Sequence, residues 1–218
     1  MWINDEYKIV FIAVPKCAST SMIQCLASRS CGAGYPFRIL QGVSWGPENS
    51  AKGDPIPPEE YHASIKYVLQ REPDLKDYFS FAFARNPWDR LVSTYYHGVQ
   101  DKAHRDIWSS GLTKYTDFHE FVLDIPNSEW LKETHLKPCS TFVTMNNNIV
   151  VDFVGRYETI NKDFGNVTRT IFDDALELNI HVHKSVRRAT YREYYTPESS
   201  SIVEKLYSED IENFGYEF

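Results

Sequence analysis

Residues Tyr7–Cys31, YKIVFIAVPKCASTSMIQCLASRSC, constrain this chain more than any other stretch. Ile9–Val14 is a continuous apolar run closed by Pro15, the pattern of a strand buried in a parallel sheet. A turn of small and hydroxyl residues follows. Then comes a helix carrying Met22, Ile23 and Leu26, which Ser19 or Thr20 can cap. Such a strand, turn and helix start can cradle an anion, because backbone N–H groups and the helix dipole point out of a helix N-terminus. Lys16 adds a full charge, and Ser19, Thr20 and Ser21 add hydroxyl donors. An ordinary strand–helix corner with a solvated lysine is the alternative. The spacing GxxxxGK[ST] is absent, so the turn is not a Walker A loop.

FAFARNPWDRLVSTYY, Phe81–Tyr96, repeats the layout with an arginine. Arg85 stands where the strand ends, and guanidinium is suited to a bidentate grip on phosphate. Ser93 lies about two helical turns further on. Asp89 and Arg90 are expected to form local ion pairs, and Trp88 to pack. Two such corners suggest a ligand with two separate phosphates.

The 218 residues suffice for one large domain, and residues 1–218 read as a single one. Hydrophobic residues make up 42% and aromatics 15%, enough for a substantial core. A net charge of −7 argues against a general nucleic-acid binder but leaves an anionic small ligand open, since local charge decides that. No run is long enough for a membrane span, and no leader is visible near Met1. Cys17, Cys25, Cys31 and Cys139 form no CxxC pair. Reduced thiols and a cytoplasmic location are expected.

Further along, Cys31–Pro58 reads as a long surface excursion rich in Gly, Pro and Ser. Glu59–Glu72 reads as a helix with Ile65, Val68 and Leu69 on one face, ended by Pro73. Tyr78–Ala84 is a strand, and a helix starts at about Pro87 with Leu91, Val92 and Tyr95 as its buried stripe. Thr116–Leu123 and Ser128–Leu136 are shorter helices. Thr141–Met145 and Val150–Val154 are strands joined by Asn146–Asn148. Lys162–Leu178 and Thr196–Phe214 are helices. Strands alternating with helices indicate an α/β domain with a mainly parallel sheet flanked by helices.

VPKCASTS, FAFARNPWDRLVSTYY, VDFVGRYETI and the closing YTPESSSIVEKLYSEDIENFGYEF, taken in order, resemble the sulfotransferases that use 3′-phosphoadenosine 5′-phosphosulfate. The chain looks most like the branch containing carbohydrate sulfotransferases, sulfotransferase family 2, from Ile9 to Phe218. The resemblance implies a P-loop-NTPase-like sulfotransferase fold. It implies that Lys16, Cys17, Ala18, Ser19, Thr20 and Ser21 hold the 5′-phosphosulfate, and that Arg85 and Ser93 hold the 3′-phosphate. Relatives commonly carry Gly or Thr where this chain has Cys17 and Ser19, but small residues keep the loop's shape. Cys17 reads as a small filler.

Attack by an acceptor hydroxyl needs a base that titrates near neutrality, which makes histidine the first choice. His62 in EEYHASIKYV occupies the place of a histidine base in similar family members. His135 in ETHLKPC resembles a His-x-x-Pro-Gln stretch with Cys139 in place of glutamine, and is assigned to the acceptor pocket. Glu158 in GRYET matches a family element with Arg156. It reads as half of an ion pair, and also as a reserve base beside the acceptor. His97 reads as a partly exposed helix residue.

Lys184, Arg187, Arg188 and Arg192 form the one dense basic cluster. It is either a solvated helix face or a loop in which Lys184 and Arg188 close over the 3′-phosphate. Tyr191, Tyr194 and Tyr195 read as core. His181 and His183 alternate, but no third ligand stands at metal spacing and HExxH is missing, so no metal is expected. The partner is a hydroxyl-bearing acceptor, a carbohydrate or small metabolite, with no nucleic acid and no membrane. Two other functions compete: a nucleotide-dependent kinase of P-loop type, and a non-catalytic nucleotide-binding protein on the same fold.

Overall fold

The computed structural model describes residues 1–30, 37–38, 61–100, 111–178 and 190–218. They form two compact units. One is drawn from Met1–Ala84 and the segment beginning at Cys139; the other combines Arg85–Pro138 with the C-terminal segment ending at Phe218.

The first unit holds a five-stranded sheet. Its strands are β1 (Trp2–Asn4), β2 (Ile9–Ile12), β3 (Phe37–Arg38), β4 (Phe79–Ala84) and β7 (Phe153–Arg156), in the order β3-β1-β2-β4-β7. The central pairs are parallel: Ile12 stands opposite Ala82, and Ala84 opposite Arg156. On the other side, β1 runs antiparallel to both β2 and β3. All four residues of β2 are buried, as a strand covered on both faces requires. The Phe11 and Phe81 rings stack across the central pair at 4.8 Å. Gly155 is needed at its place in β7, since a Cβ there would meet Cε1 of Phe83 at 2.4 Å. Helices Ser19–Ser30, Ile65–Arg71 and Ile160–Phe172 belong to the same unit, giving a mixed α/β architecture with a mainly parallel centre.

Several boundaries differ from the sequence reading, each for a local reason. The Ile65–Arg71 helix is shorter than Glu59–Glu72 because the Ser64 side chain caps it, accepting from the Tyr67 amide. Within the Cys31–Pro58 excursion, Phe37–Arg38 pairs with β1, and Arg38 ion-pairs with Asp5 and Glu72. Ser140–Val143 is a helical turn rather than strand. The hairpin after it is only β5 (Thr144–Met145) and β6 (Asn148–Ile149), turned by Asn146 and Asn147 at φ 51° and 62°. The strand expected at Val150–Val154 lies at Phe153–Arg156, because Asp152 accepts from both the amide and the hydroxyl of Ser80 and fixes the start of pairing there. The helix expected over Lys162–Leu178 ends at Phe172, where Asp173 turns left-handed.

The second unit is helical. Pro87–Gln100 presents Leu91, Val92 and Tyr95 to a buried cluster that includes Phe118, Phe121, Val203 and Tyr207. Asp117 caps Phe118–Asp124 through the Glu120 amide. In place of a Ser128–Leu136 helix there is a short 3₁₀ turn, Trp130–Lys132. The C-terminal helix is two pieces, Pro197–Leu206 and Ser208–Phe214. It breaks at buried Tyr207, whose hydroxyl donates to the Leu136 carbonyl at 2.8 Å.

Behind that break, Asp210 is fully buried beside Arg90, N···O 3.9 Å. Arg90 also donates to the Lys137 carbonyl at 2.7 Å and lies over the Tyr207 ring. Taking one member from a buried ion pair leaves the other charge desolvated. Asp210→Ala is therefore expected to lower unfolding free energy by about 3 kcal/mol, read as a fall in the urea midpoint. An unchanged midpoint would remove the pair from the account of this unit's stability.

Candidate active site

The turn after β2 has an unusual backbone. Lys16 and Ala18 both adopt left-handed conformations, φ 62° and 61°. L-residues pay for this conformation, at about 1–2 kcal/mol each. Left-handed residues in a tight turn curl successive N–H groups toward one concave side, the geometry of an anion nest. The Ser19–Ser30 helix starts immediately. Its first bond runs from the Met22 amide to the Ala18 carbonyl, 3.2 Å. Ser19, Thr20 and Ser21 thus form the opening turn of the helix, and Ala18, not a hydroxyl residue, stands at the cap position. Their amides precede the first helical bond and point out of the helix end. Ser19 and Ser21 are buried, while Lys16 and Thr20 are half-buried. Cys17 is buried with its thiol on the Pro15 carbonyl, 3.5 Å, in keeping with a filler of the turn.

His62 belongs to this corner. Its Nδ1 lies 2.5 Å from the Ala13 carbonyl at the end of β2. A carbonyl can only accept, so Nδ1 carries the proton and Nε2 is the acceptor nitrogen of the neutral ring. This tautomer leaves Nε2 as the nitrogen able to accept a proton, and it is held by the chain that leads into the Lys16–Ser21 turn.

Tyr61, which the sequence reading passed over, completes the arrangement. Its ring meets His62 edge-on, centroids 4.7 Å apart at 87°. Burial pushes its phenol up, and hydrogen bonds to Thr20 and Ser19 pull it back down. The signal was an aromatic hydroxyl directly before the candidate base.

The second unit opens with Arg85, which follows the last residue of β4. Arg85 is 3% exposed. Its Nε donates to Asp89 at 2.7 Å, and its Nη2 lies 2.7 Å from the same oxygen. Asp89 thus orients the guanidinium, as the i,i+4 spacing allows. Asn86 is a second residue missed by the sequence reading. Its side-chain oxygen accepts from the Trp88 and Asp89 amides, capping the helix ahead of Pro87. Its amide donates to the Glu217 carbonyl at 2.9 Å. Asn-Pro before an apolar periodic run was the available signal. Ser93 is buried on this helix, and Trp88 is buried with its indole nitrogen on the Ser200 carbonyl.

Tyr191, Tyr194 and Tyr195 pack against the aromatic cluster of this unit as expected. His135, half-buried, lies in the same unit after the 3₁₀ turn, and His97 is half-buried on the Pro87–Gln100 helix. Glu158, exposed, sits in the first unit in the turn after β7. Cys31, His181, His183, Lys184, Arg187 and Arg188 lie outside the described residues. Arg192 is described; its guanidinium stacks over the Tyr191 and Phe218 rings.

The sequence model described as the sulfotransferase family matches residues 1–217. An uncharacterized protein of Archaeoglobus fulgidus is 33% identical over 95 residues, covering 43% of this chain and 68% of that protein. Carbohydrate sulfotransferase 14 of Danio rerio is 24% identical over 190 residues, covering 74% of this chain and 45% of its own length. The Mus musculus protein of the same name is 21% identical over 224 residues, covering 90% of this chain and 51% of its own. The chain thus spans about half the length of these two named relatives.

Proposed function

The chain belongs to the sulfotransferase family, and from that premise we propose that it transfers a sulfuryl group from 3′-phosphoadenosine 5′-phosphosulfate to an acceptor hydroxyl on a carbohydrate. The observation that carries the reading is the corner after β2. A left-handed turn at Lys16 and Ala18 opens a helix, and the same stretch holds His62 in the tautomer of a base.

The reaction is an in-line displacement at sulfur. His62 Nε2 takes the acceptor proton as the new S–O bond forms. The bond from sulfur to the bridging oxygen breaks, and its electron pair leaves with the 5′-phosphate of the nucleotide. Lys16 faces that growing charge, and Ser19–Ser21 with their amides hold the phosphate. Donors fixed before the reaction supply the largest catalytic contribution. Arg85 and Ser93 take the 3′-phosphate, and Lys184 and Arg188, outside the described residues, are assigned to the same group on the family resemblance alone. His135 and Glu158 contact the acceptor. Cys17 and Ala18 contribute backbone to the 5′ grip. The residues 1–218 act as one sulfotransferase domain.

The carbohydrate acceptor follows the names of the Danio and Mus relatives. A small metabolite hydroxyl would use the same chemistry. A cytoplasmic setting is part of the reading. Separately, among the described residues no helix is long and apolar enough to cross a membrane.

The test is transfer of radiolabelled sulfate from the donor to pooled oligosaccharides and small hydroxyl compounds. Label in the carbohydrate fraction is expected. Phosphate transfer from Mg-ATP would favour a kinase, and no transfer to any acceptor would favour a binding protein. Arg85→Ala is expected to weaken binding of 3′-phosphoadenosine 5′-phosphate about 10- to 100-fold by calorimetry, the loss typical of charged hydrogen bonds. Unaltered binding would take Arg85 out of the nucleotide site.

A further inference from the structure

Asn86 faces two ways. Its side-chain oxygen accepts from the Trp88 amide at 3.1 Å and the Asp89 amide at 3.3 Å. Its nitrogen donates at 2.9 Å to the carbonyl of Glu217, 131 residues further on. Capping needs only the oxygen, and serine or aspartate would supply one. The nitrogen is the part that calls for asparagine, and its reach is to Glu217. Asp89, whose amide sits in this cap, takes both Nε and Nη2 of Arg85 on one carboxylate oxygen. The guanidinium is therefore tied to Glu217 through the Asp89 carboxylate, the Asp89 amide and Asn86.

Phe218 grips the same turn by packing. Its ring lies edge-on to Trp88 at 5.5 Å, Tyr191 at 6.0 Å and Tyr195 at 5.7 Å. The Tyr195 hydroxyl in turn donates to the Trp88 carbonyl at 2.9 Å. Glu217 and Phe218 thus hold the first turn of the Pro87–Gln100 helix by backbone and by ring. An arginine on a long flexible stem binds an anion more tightly when it is ordered beforehand, because the ordering is not then charged to binding.

We propose that Asn86 is a positioning residue for Arg85, and that Glu217, through its carbonyl, and Phe218, through its ring, latch that corner for the 3′-phosphate. The inference rests on the reading of Arg85 as the 3′-phosphate grip. It gives two residues far from Arg85 in sequence a role in nucleotide affinity that does not require touching the nucleotide.

The latch and the cap are separable. Asn86→Ser keeps an oxygen for the two amides and removes the nitrogen that reaches Glu217. Phe218→Ala leaves the cap whole and removes only the ring, and it carries the test by itself if Asn86→Ser does not fold. Binding is measured by calorimetry with 3′-phosphoadenosine 5′-phosphate and with adenosine 5′-monophosphate, which lacks the 3′-phosphate. For the first nucleotide the dissociation constant is expected to rise about three- to tenfold in Asn86→Ser, the range of one neutral hydrogen bond, and by a smaller factor in Phe218→Ala. For the second it is expected to stay the same in both variants. Added to Arg85→Ala, neither change should weaken binding further, since both act through that side chain.

Equal losses on the two nucleotides, as a merely structural corner would give, would overturn the latch while sparing the donor site. So would no loss on either, or losses fully multiplicative with Arg85→Ala. A wild type that binds the two nucleotides equally would remove the 3′-phosphate from Arg85, and the proposal with it. One that binds neither would overturn the donor-site reading as well.

Discussion

Lys16→Ala is expected to lower kcat about 10³-fold, the upper range for loss of one preorganised donor at a developing oxyanion. In the proposed reaction the charge at Lys16 matters most when the bond to sulfur breaks, because negative charge then collects on the departing phosphate. An interaction that strengthens toward the transition state lowers kcat when removed, more than it weakens ground-state binding. The backbone makes the test clean. Lys16 holds φ 62°, and alanine carries the same Cβ, so the turn bears the same strain before and after the change. Lys16→Arg keeps a positive charge on the same stem and is expected to recover part of the rate. Steady-state sulfate transfer, with nucleotide binding measured in parallel, separates the two effects. Turnover unchanged in Lys16→Ala would end the assignment of this loop to the reacting end.

His62→Ala is expected to lower kcat by about 10³-fold, within the range for loss of a general base. The sign of the pH dependence is fixed by the role. A base must be unprotonated to work, so wild-type kcat falls as pH drops and the imidazole protonates, and that acid limb should vanish in the variant. Added imidazole should restore part of the rate. Retained rate with the acid limb intact would shift the base to another side chain, with Glu158 the next to test. The variant leaves the Ala13 carbonyl without its ring partner, so nucleotide binding serves as the control for an intact corner.

The elements that were legible in the sequence are those whose signals are local and redundant. Ile9–Ile12 and Phe79–Ala84 are buried on both faces, so their apolar runs are continuous. Pro87 fixes the start of its helix. The strand-to-helix turn at Lys16–Ser21 was readable because an apolar run, Pro15 and a stretch of small and hydroxyl residues precede a helical pattern.

What was missed depends on partners distant in sequence. The strand at Phe37–Arg38 exists through pairing with β1. The break at Tyr207 depends on a carbonyl at Leu136. The start of β7 is set by Asp152 on Ser80, 72 residues away. The edge-on contact of Tyr61 with the His62 ring likewise shows only in the folded chain. The left-handed turn was also invisible, because no glycine marks Lys16 or Ala18.

The order of the sheet bears on how the molecule is made. β2 needs β4, and β4 needs β7, so a strand near residue 10 waits for one that ends at Arg156 before its neighbours are complete. On the ribosome the chain emerges N-terminus first. The apolar segment that leads into the Lys16–Ser21 turn therefore stays without its full set of neighbours until the strand ending at Arg156 has been made. Such long-range pairing is slow and aggregation-exposed. Overproduction at low temperature, or with a chaperone that shields nascent apolar strands, is expected to raise the yield of folded protein.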